Sequence, residues 1–433
     1  MYSENRNNYA IIGWLICGLG AIFYSYEYLL RIAPSVMEGP LREHFNLSAT
    51  GFGMVSSIYY AAYVPMQLPV GVLLDRYGPR RLLTFACLVC VIGTFIYTGT
   101  SVAWIAAIGR FLVGFGSAFA FVGVLKLATI WLPENRLGMV AGMTSALGTV
   151  GAMLGDNFLS IFVDKLGWIK SLNYTAVFGI GLIFVLWFGI SDKKNSHHQE
   201  GGTIPTFKKG FVDLEIILKN KQIWLNGLYG CLVYLPTSVF AELWGIPYLR
   251  HAHGFTAEAA GLANSILFLG FALGAPLMGY ISDRLARRKF PMFVGAMGAA
   301  IVMLMILYLP GLSVSSIQAL MFLLGLLYSA QAIVFAVGRE ISPGEAAGTA
   351  MALTNMLVML GAMFLQPLVG HLLDFSLSLR VGDSALAGVG VENLKKLYTI
   401  ADYQIALAFI PLGIFIAAII TFFLKETHAH AKE

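Results

Sequence analysis

The chain has 433 residues, of which 58% are hydrophobic and only 12% charged, with a formal net charge of +5. Soluble proteins carry about 25% charged residues, so this composition excludes a water-soluble enzyme and points to a membrane protein. The surplus positive charge lies mostly in loops on one side of the chain's apolar runs, which gives no reason to expect a nucleic-acid partner.

A helix needs about 20 residues to cross a ~30 Å hydrocarbon core, and it must be a helix because lipid offers the backbone no hydrogen-bond partner. The first predicted span, 9–33, is preceded by a single Arg6 and carries Glu27 and Arg31, which no cleavable signal peptide would. Gly20, Tyr24, Glu27, Tyr28 and Arg31 share one helical stripe. The second span, 49–74, ends in the charged turn Gly71-x-x-x-Asp75-Arg76-x-Gly78-x-Arg80-Arg81. The third span, 82–99, is wholly apolar, whereas the fourth, 102–131, carries Arg110 and Lys126, about 160° apart around the helix. The fifth, 138–163, contains Gly142, Gly148, Gly151, Gly155 and Asp156, and its glycines suit close helix packing. The sixth covers 172–190.

A polar stretch, 191–222, follows and is read as a linker with a short surface helix near Phe211 to Leu218. Six further spans are predicted at 223–249, 257–281, 290–310, 314–338, 346–373 and 401–424. The seventh bears Tyr234, Glu242 and Trp244; the tenth bears Tyr328 and Gln331. After the eighth the charged turn returns as Gly279-x-x-x-Asp283-Arg284-x-Ala286-x-Arg288-Lys289, shifted by 208. The same shift aligns Ala49 with Ala257, Gly53 with Gly261 and Ser57 with Ser265, and sets Ser48 and Thr256 as helix N-caps. The expected organisation is therefore an all-α membrane protein of twelve helices in two pseudo-symmetric halves, 1–190 and 223–433, joined by the linker 191–222.

Lysine and arginine number 18 in the loops on the side of the termini and 7 in the opposite loops, with Arg31, Arg110 and Lys126 inside spans. Positive loops mark the cytoplasmic side, so both termini are expected there. Four cysteines lie inside apolar spans, where neither disulfides nor a metal site is expected. No Walker loop, HExxH or GxSxG motif is present, and no cofactor or catalytic chemistry is expected. Asn46-Leu-Ser and Asn173-Tyr-Thr are sequons with meaning only in a eukaryote.

The paired charged turns resemble the signature of the major facilitator superfamily between helices two and three and its second copy between helices eight and nine. Arg110-Phe-Leu-Val-Gly114-Phe-Gly116 resembles the family's Arg-x-x-x-Gly-x-Gly pattern in helix four. "YEYLLRIAPSVM" and "GSAFAFVGVLKLATIWLP" are similar to phagosomal nutrient transporters of intracellular bacteria, an amino-acid and nucleoside branch.

The resemblance implies that helices 1, 4, 7 and 10 line a central cavity. A substrate site is then expected at Tyr24, Glu27, Tyr28, Arg31, Arg110, Phe121, Tyr234, Glu242, Trp244, Tyr328 and Gln331. It also implies a latch at Gly71, Asp75, Arg76, Arg80, Gly279, Asp283, Arg284 and Arg288 that pairs with the other half in one state, the glycines admitting a neighbouring helix. Glu27 and Asp156, each roughly 8 Å outward of its helix midpoint, are expected to carry protons; for Glu27 and Arg31 an interfacial i,i+4 ion pair is the competing reading.

The expected function is proton-linked uptake of a small charged organic solute (an amino acid, short peptide or carboxylate) through a bacterial inner membrane, by a monomer in the lipid bilayer. Export of a drug or siderophore stays open, as do facilitated diffusion and a non-transporting sensor or partner subunit that keeps the fold. The absence of a proline after the helix 5 glycines argues against drug antiport.

Overall fold

Backbone hydrogen bonding inside each pass sets the architecture of the computed structural model, which describes residues 2–133, 136–192, 214–343, 346–382, 390, 393 and 397–428. Among the described residues there are helices and turns and no strand. The first pass, α1, runs from Tyr2 to Val36, and a short helix Glu38–His44 lies beyond its far end. The second, α2, starts at Ala49 with Ser48 Oγ capping Gly51, as expected from the sequence. It is not one straight helix to 74. The segment Ala49–Met66 breaks and resumes as Val70–Tyr77 at an angle of 64°, because Pro69 at the break has no N–H to continue the ladder.

The third pass, α3, covers Pro79–Thr98; α4 is Ala103–Ser117 continued by Ala120–Trp131. In α5, Leu137–Leu154 passes through a π-helical turn at Gly155–Leu159 into Ser160–Leu166. The first half closes with α6, Trp168–Gly189. Residues 214–218 form a helical turn where the surface helix was expected; 193–213 lie outside the described residues.

The second half repeats the plan. Pass α7 is Lys221–Val233, a π-helical stretch Pro236–Trp244, and Gly245–His253. Then come α8, Ala257–Leu285, capped by Thr256, and α9, Lys289–Tyr308. Pass α10 joins Val314–Tyr328 to Ile333–Glu340 through a tight turn, α11 runs from Ala347 to Val381, and α12 joins Ile400–Leu407 to Phe409–Phe423. Residues exposed on the bundle's outside, such as Phe184, Phe188, Phe364 and Phe422, are large and apolar. That is the surface a hydrocarbon solvent requires.

The two halves meet along α2 with α11, α5 with α8, and α1 with α7. Glycine makes the first two crossings possible. A Cβ on Gly53 would stand 2.7 Å from the carbonyl oxygen of Gln366, one on Gly370 2.2 Å from that of Ala49, and one on Gly261 2.3 Å from that of Asp156. These seams lie toward the face opposite the termini, called here the far face.

On the terminus face each half ties down its own charged turn. Gly78 turns at φ +81°, and its counterpart Ala286 turns at φ +47°, so the second copy keeps a left-handed residue but with a different shape. Asp192, just past α6, accepts the backbone N–H of Arg80 at 3.0 Å. Glu426, just past α12, accepts those of Arg288 at 2.6 Å and Lys289 at 3.2 Å. Arg80 and Arg288 are equivalent under the 208-residue shift, so a carboxylate caps the same helix start in both halves.

Within the first half, a Cβ on Gly114 would stand 2.0 Å from the Tyr59 carbonyl oxygen, whereas one on Gly181 meets nothing within 4 Å. Gly114→Ala is expected to destabilise the purified protein by about 2 kcal/mol through overpacking. Gly181→Ala is expected to leave thermal unfolding in detergent unchanged or slightly raised.

Candidate functional site

One guanidinium organises the middle of the bundle. Arg31 donates from Nη2 to both Glu27 oxygens, at 3.0 and 3.3 Å, and from Nε to the Tyr59 hydroxyl at 3.0 Å. Tyr59 in turn donates to Glu27 Oε2 at 2.9 Å. The guanidinium carbon lies 4.4 Å from the ring centre of Tyr28 and 4.9 Å from that of Tyr63, close enough for cation–π attraction. Arg31 and Glu27 thus form the i,i+4 ion pair that their spacing allows, but it faces the bundle's centre and not an interface.

The other half answers with Glu242. Its carboxylate stands 3.8 Å from Arg31 Nη1, accepts from Tyr28 at 3.3 Å and receives a short hydrogen bond from Tyr60. Every one of these partners belongs to the first half. Tyr234 meets Tyr28 hydroxyl to hydroxyl at 3.4 Å, Tyr328 lies edge-on to Tyr234 with ring centres 6.4 Å apart, and Tyr24 packs on Phe121 at 5.4 Å. Eight of the eleven expected site residues therefore gather here: Tyr24, Glu27, Tyr28, Arg31, Phe121, Tyr234, Glu242 and Tyr328. Glu27, Arg31, Tyr59, Tyr60 and Glu242 are each at most 3% exposed, so neither bulk water nor a water-sized void reaches them.

Three expected members stand elsewhere. Arg110 donates to the carbonyls of Leu30 at 2.8 Å and Arg31 at 3.2 Å, clamping the backbone of α1 rather than opening into a cavity. Trp244 donates to the Gln366 carbonyl at 2.9 Å and packs edge-on to Phe52 at 5.5 Å, which puts it in the far-face seam. Gln331 is buried and makes no hydrogen bond to the cluster.

The reading of the sequence missed Tyr59, Tyr60 and Tyr63. They sit on α2, outside the helices that the resemblance made cavity-lining, and in an apolar span tyrosines register only as bulk. Their spacing was the available signal, because Tyr59 and Tyr63 stack one turn apart at 5.7 Å.

Asp156 and Glu242 both lie in π-helical turns, a distortion that often accompanies functional positions. Asp156 is fully buried at the crossing of α5 and α8. Its Oδ2 accepts from Asn264 of the other half at 2.8 Å, and its Oδ1 has no hydrogen-bond partner. Next to it Asn157 donates to Ser265 Oγ at 2.6 Å, again across the seam.

Among the described residues, the ion pairs of the charged turns lie within their own halves. Asp75 holds Lys126 at 2.5 Å, which settles Lys126 on another helix rather than at the interface, and Arg80 lies over the Trp187 ring at 4.5 Å. Arg288 joins Asp283 at 2.5 Å and Glu340 at 2.6 Å, while Arg76 and Arg284 are exposed. Gly71 and Gly279 face open space, not the closely approaching helix expected of them. The physical reason is the arrangement itself: the halves press together at the far face, and among the described residues nothing comes within 4 Å of a Cβ on either glycine. Asn355 of the second half donates to Gln67 Oε1 of the first at 2.9 Å.

Comparison with known proteins agrees with this geometry. The model of the Major Facilitator Superfamily matches residues 15–365 and 228–433. A protein of Cupriavidus necator named as a probable sulfoacetate transporter, SauU, is 22% identical over 87% of this chain and 91% of its own length. Another of Escherichia coli, named as a probable galactarate/D-glucarate transporter, GudP, is 23% identical over 88% of this chain and 90% of its own. Among solved structures, a bacterial homolog of the human lysosomal transporter Spinster superposes with a TM-score of 0.76 at 16% identity, covering 95% of this chain and 97% of that one. Twelve passes in two like halves, a charged turn repeated in each, and a family match along nearly the whole length make this chain a member of the Major Facilitator Superfamily, a membrane transporter and not an enzyme.

Proposed function

We propose that the chain is a proton-coupled symporter of a small organic carboxylate, with Arg31 as the solute's anchor and Glu27 as the proton carrier. The observation that carries this reading is the pairing of the Arg31 guanidinium, at the bundle's centre, with a carboxylate, Glu27, on its own helix. A planar guanidinium binds a carboxylate with two parallel hydrogen bonds. The relatives' names lend support, since sulfoacetate, galactarate and glucarate all bear carboxylates.

Charge balance supplies the coupling. Glu27 and Glu242 are matched by Arg31 and Arg110, all buried within the bundle. The solute carboxylate that takes Arg31 adds one negative charge to a site that lipid surrounds, where an unbalanced charge costs at least about 2.5–3.5 kcal/mol. When the solute takes Arg31, Glu27 loses its counter-ion. A proton arriving on Glu27 removes that charge, so solute and proton enter together. Glu242, whose partners all lie in the opposite half, then reports the state of the centre to the second half, and Asp156 serves as a second proton site in the seam.

On this reading the lysine- and arginine-rich terminus face is cytoplasmic in a bacterial inner membrane, and the chain works as a monomer. The far face is then periplasmic and closed, with the central site occluded, one state of an alternating-access cycle. The charged turns, unpaired with the other half here, take up cross-half partners when the bundle rocks to face outward.

Counterflow in proteoliposomes tests the solute class. Sugar acids and sulfonated carboxylates are expected to exchange, and nucleosides lacking a carboxylate are not; exchange of nucleosides alone would sink the proposal. Arg31→Lys is expected to lower uptake about a hundred-fold or more, the scale of losing one partner in a buried ion pair. Glu27→Gln is expected to keep counterflow while losing accumulation driven by a pH gradient. Retention of pH-driven accumulation in that variant would show that the proton travels elsewhere.

A further inference from the structure

At the far face, a chain of polar contacts runs from one half to the other and back, well away from the central cluster. His251, at the end of α7, meets Glu38 Oε2 at 3.4 Å. Glu38 Oε1 accepts from Arg42 at 2.8 Å, and Arg42 Nη2 donates to the Tyr398 hydroxyl at 3.2 Å. The Tyr398 hydroxyl in turn donates to Asp374 Oδ1 at 2.6 Å. Asp374, on α11, then accepts the backbone N–H groups of Ala49 at 3.2 Å and Thr50 at 2.8 Å, and the Thr50 hydroxyl at 2.6 Å. His251, Tyr398 and Asp374 belong to the second half; Glu38, Arg42, Ala49 and Thr50 belong to the first. The chain therefore crosses the seam three times.

Its last link is unusual in kind. The first turn of a helix leaves N–H groups without partners inside the helix, and a nearby carboxylate satisfies both the hydrogen bonds and the dipole. Here Ser48 caps only Gly51, and the two N–H groups before it are capped by a carboxylate from the other half. Separating the halves at this face uncovers the start of α2. The other links are held as firmly: Glu38 and Arg42 are 4% and 1% exposed. Burial pushes the Glu38 carboxyl up, but the His251 hydrogen bond and the Arg42 charge outweigh it and hold the group at about 2, so it stays ionised at any physiological pH.

We propose that Glu38, Arg42, His251, Asp374 and Tyr398 form the latch that holds the far face shut, with Asp374 capping α2 in trans as its main bolt. The latch acts on which face is open, not on the solute site, and it stands whichever face is cytoplasmic. Tyr398 is its joint, because its one hydroxyl both accepts from Arg42 and donates to Asp374.

Distances between spin labels on the full chain in lipid nanodiscs test it, with the four native cysteines replaced and labels at Lys165 and Glu258, exposed positions on the far ends of the two halves. Tyr398→Phe and Asp374→Asn are each expected to raise the longer-distance fraction at least two-fold. His44→Ala, which removes a far-face contact made within one half to the Thr100 carbonyl, is expected to leave the distribution as in the parent. If both seam variants stay monodisperse, melt where the His44 variant melts, and keep the parental distribution, the latch is refuted. Solute transport enters none of these readouts, so failure of the carboxylate assignment and failure of the latch are separately visible.

Discussion

A charge in the middle of a bilayer has to be answered by another charge or by water, and this structure excludes water. Arg31 is answered by Glu27 from one turn below, by tyrosine rings and hydroxyls from α2, and by Glu242 from the opposite half. The rest of the bundle follows from that requirement. Helix α1 must turn its charged stripe inward, α2 must bring its tyrosines alongside, and Arg110 must hold α1's carbonyls so that the stripe stays in register. An ion pair made wholly within one half would be inert to rocking; the reach of Glu242 across the seam makes the cluster sensitive to it.

The same economy of contacts makes each half a block of its own. Each keeps its charged turn bound to its own last helix through Asp192 or Glu426, and its neighbouring ion pairs stay within the half. Between the halves the close contacts are different in character: backbone laid against glycine at Gly53, Gly370 and Gly261, and polar bonds at the far face in addition to those of the central cluster. Close-packed interiors transmit strain, so a seam of this type separates as a unit rather than loosening piecemeal.

Much of this was legible from the residues alone. Hydropathy counted the passes, the 208-residue shift exposed the duplication, and helical spacing put Tyr24, Glu27, Tyr28 and Arg31 on one stripe. What periodicity cannot give is which neighbouring helix a stripe meets. Tyr59, Tyr60 and Tyr63 read as apolar filling because a phenol hydroxyl leaves no mark on a hydrophobic pattern. Arg110 and Trp244 went elsewhere because side-chain length and helix tilt, not sequence position, decide where a long side chain ends. The bend of α2 could have been anticipated from Pro65 and Pro69. The π-helical turns that carry Asp156 and Glu242 could not, since one wider turn inside a helix leaves no mark on a hydrophobic pattern.

The dehydrated centre has a thermodynamic corollary. Because the residues around Arg31 are packed to at most a few per cent exposure, a guest could reach the guanidinium only in a form in which they part, populated to some fraction of the ensemble. Any dissociation constant measured on the whole ensemble is weakened by that fraction. A ligand's intrinsic fit to the guanidinium is therefore tighter than titration records, and a substitution that merely props the bundle ajar would raise apparent affinity without touching a single recognition contact.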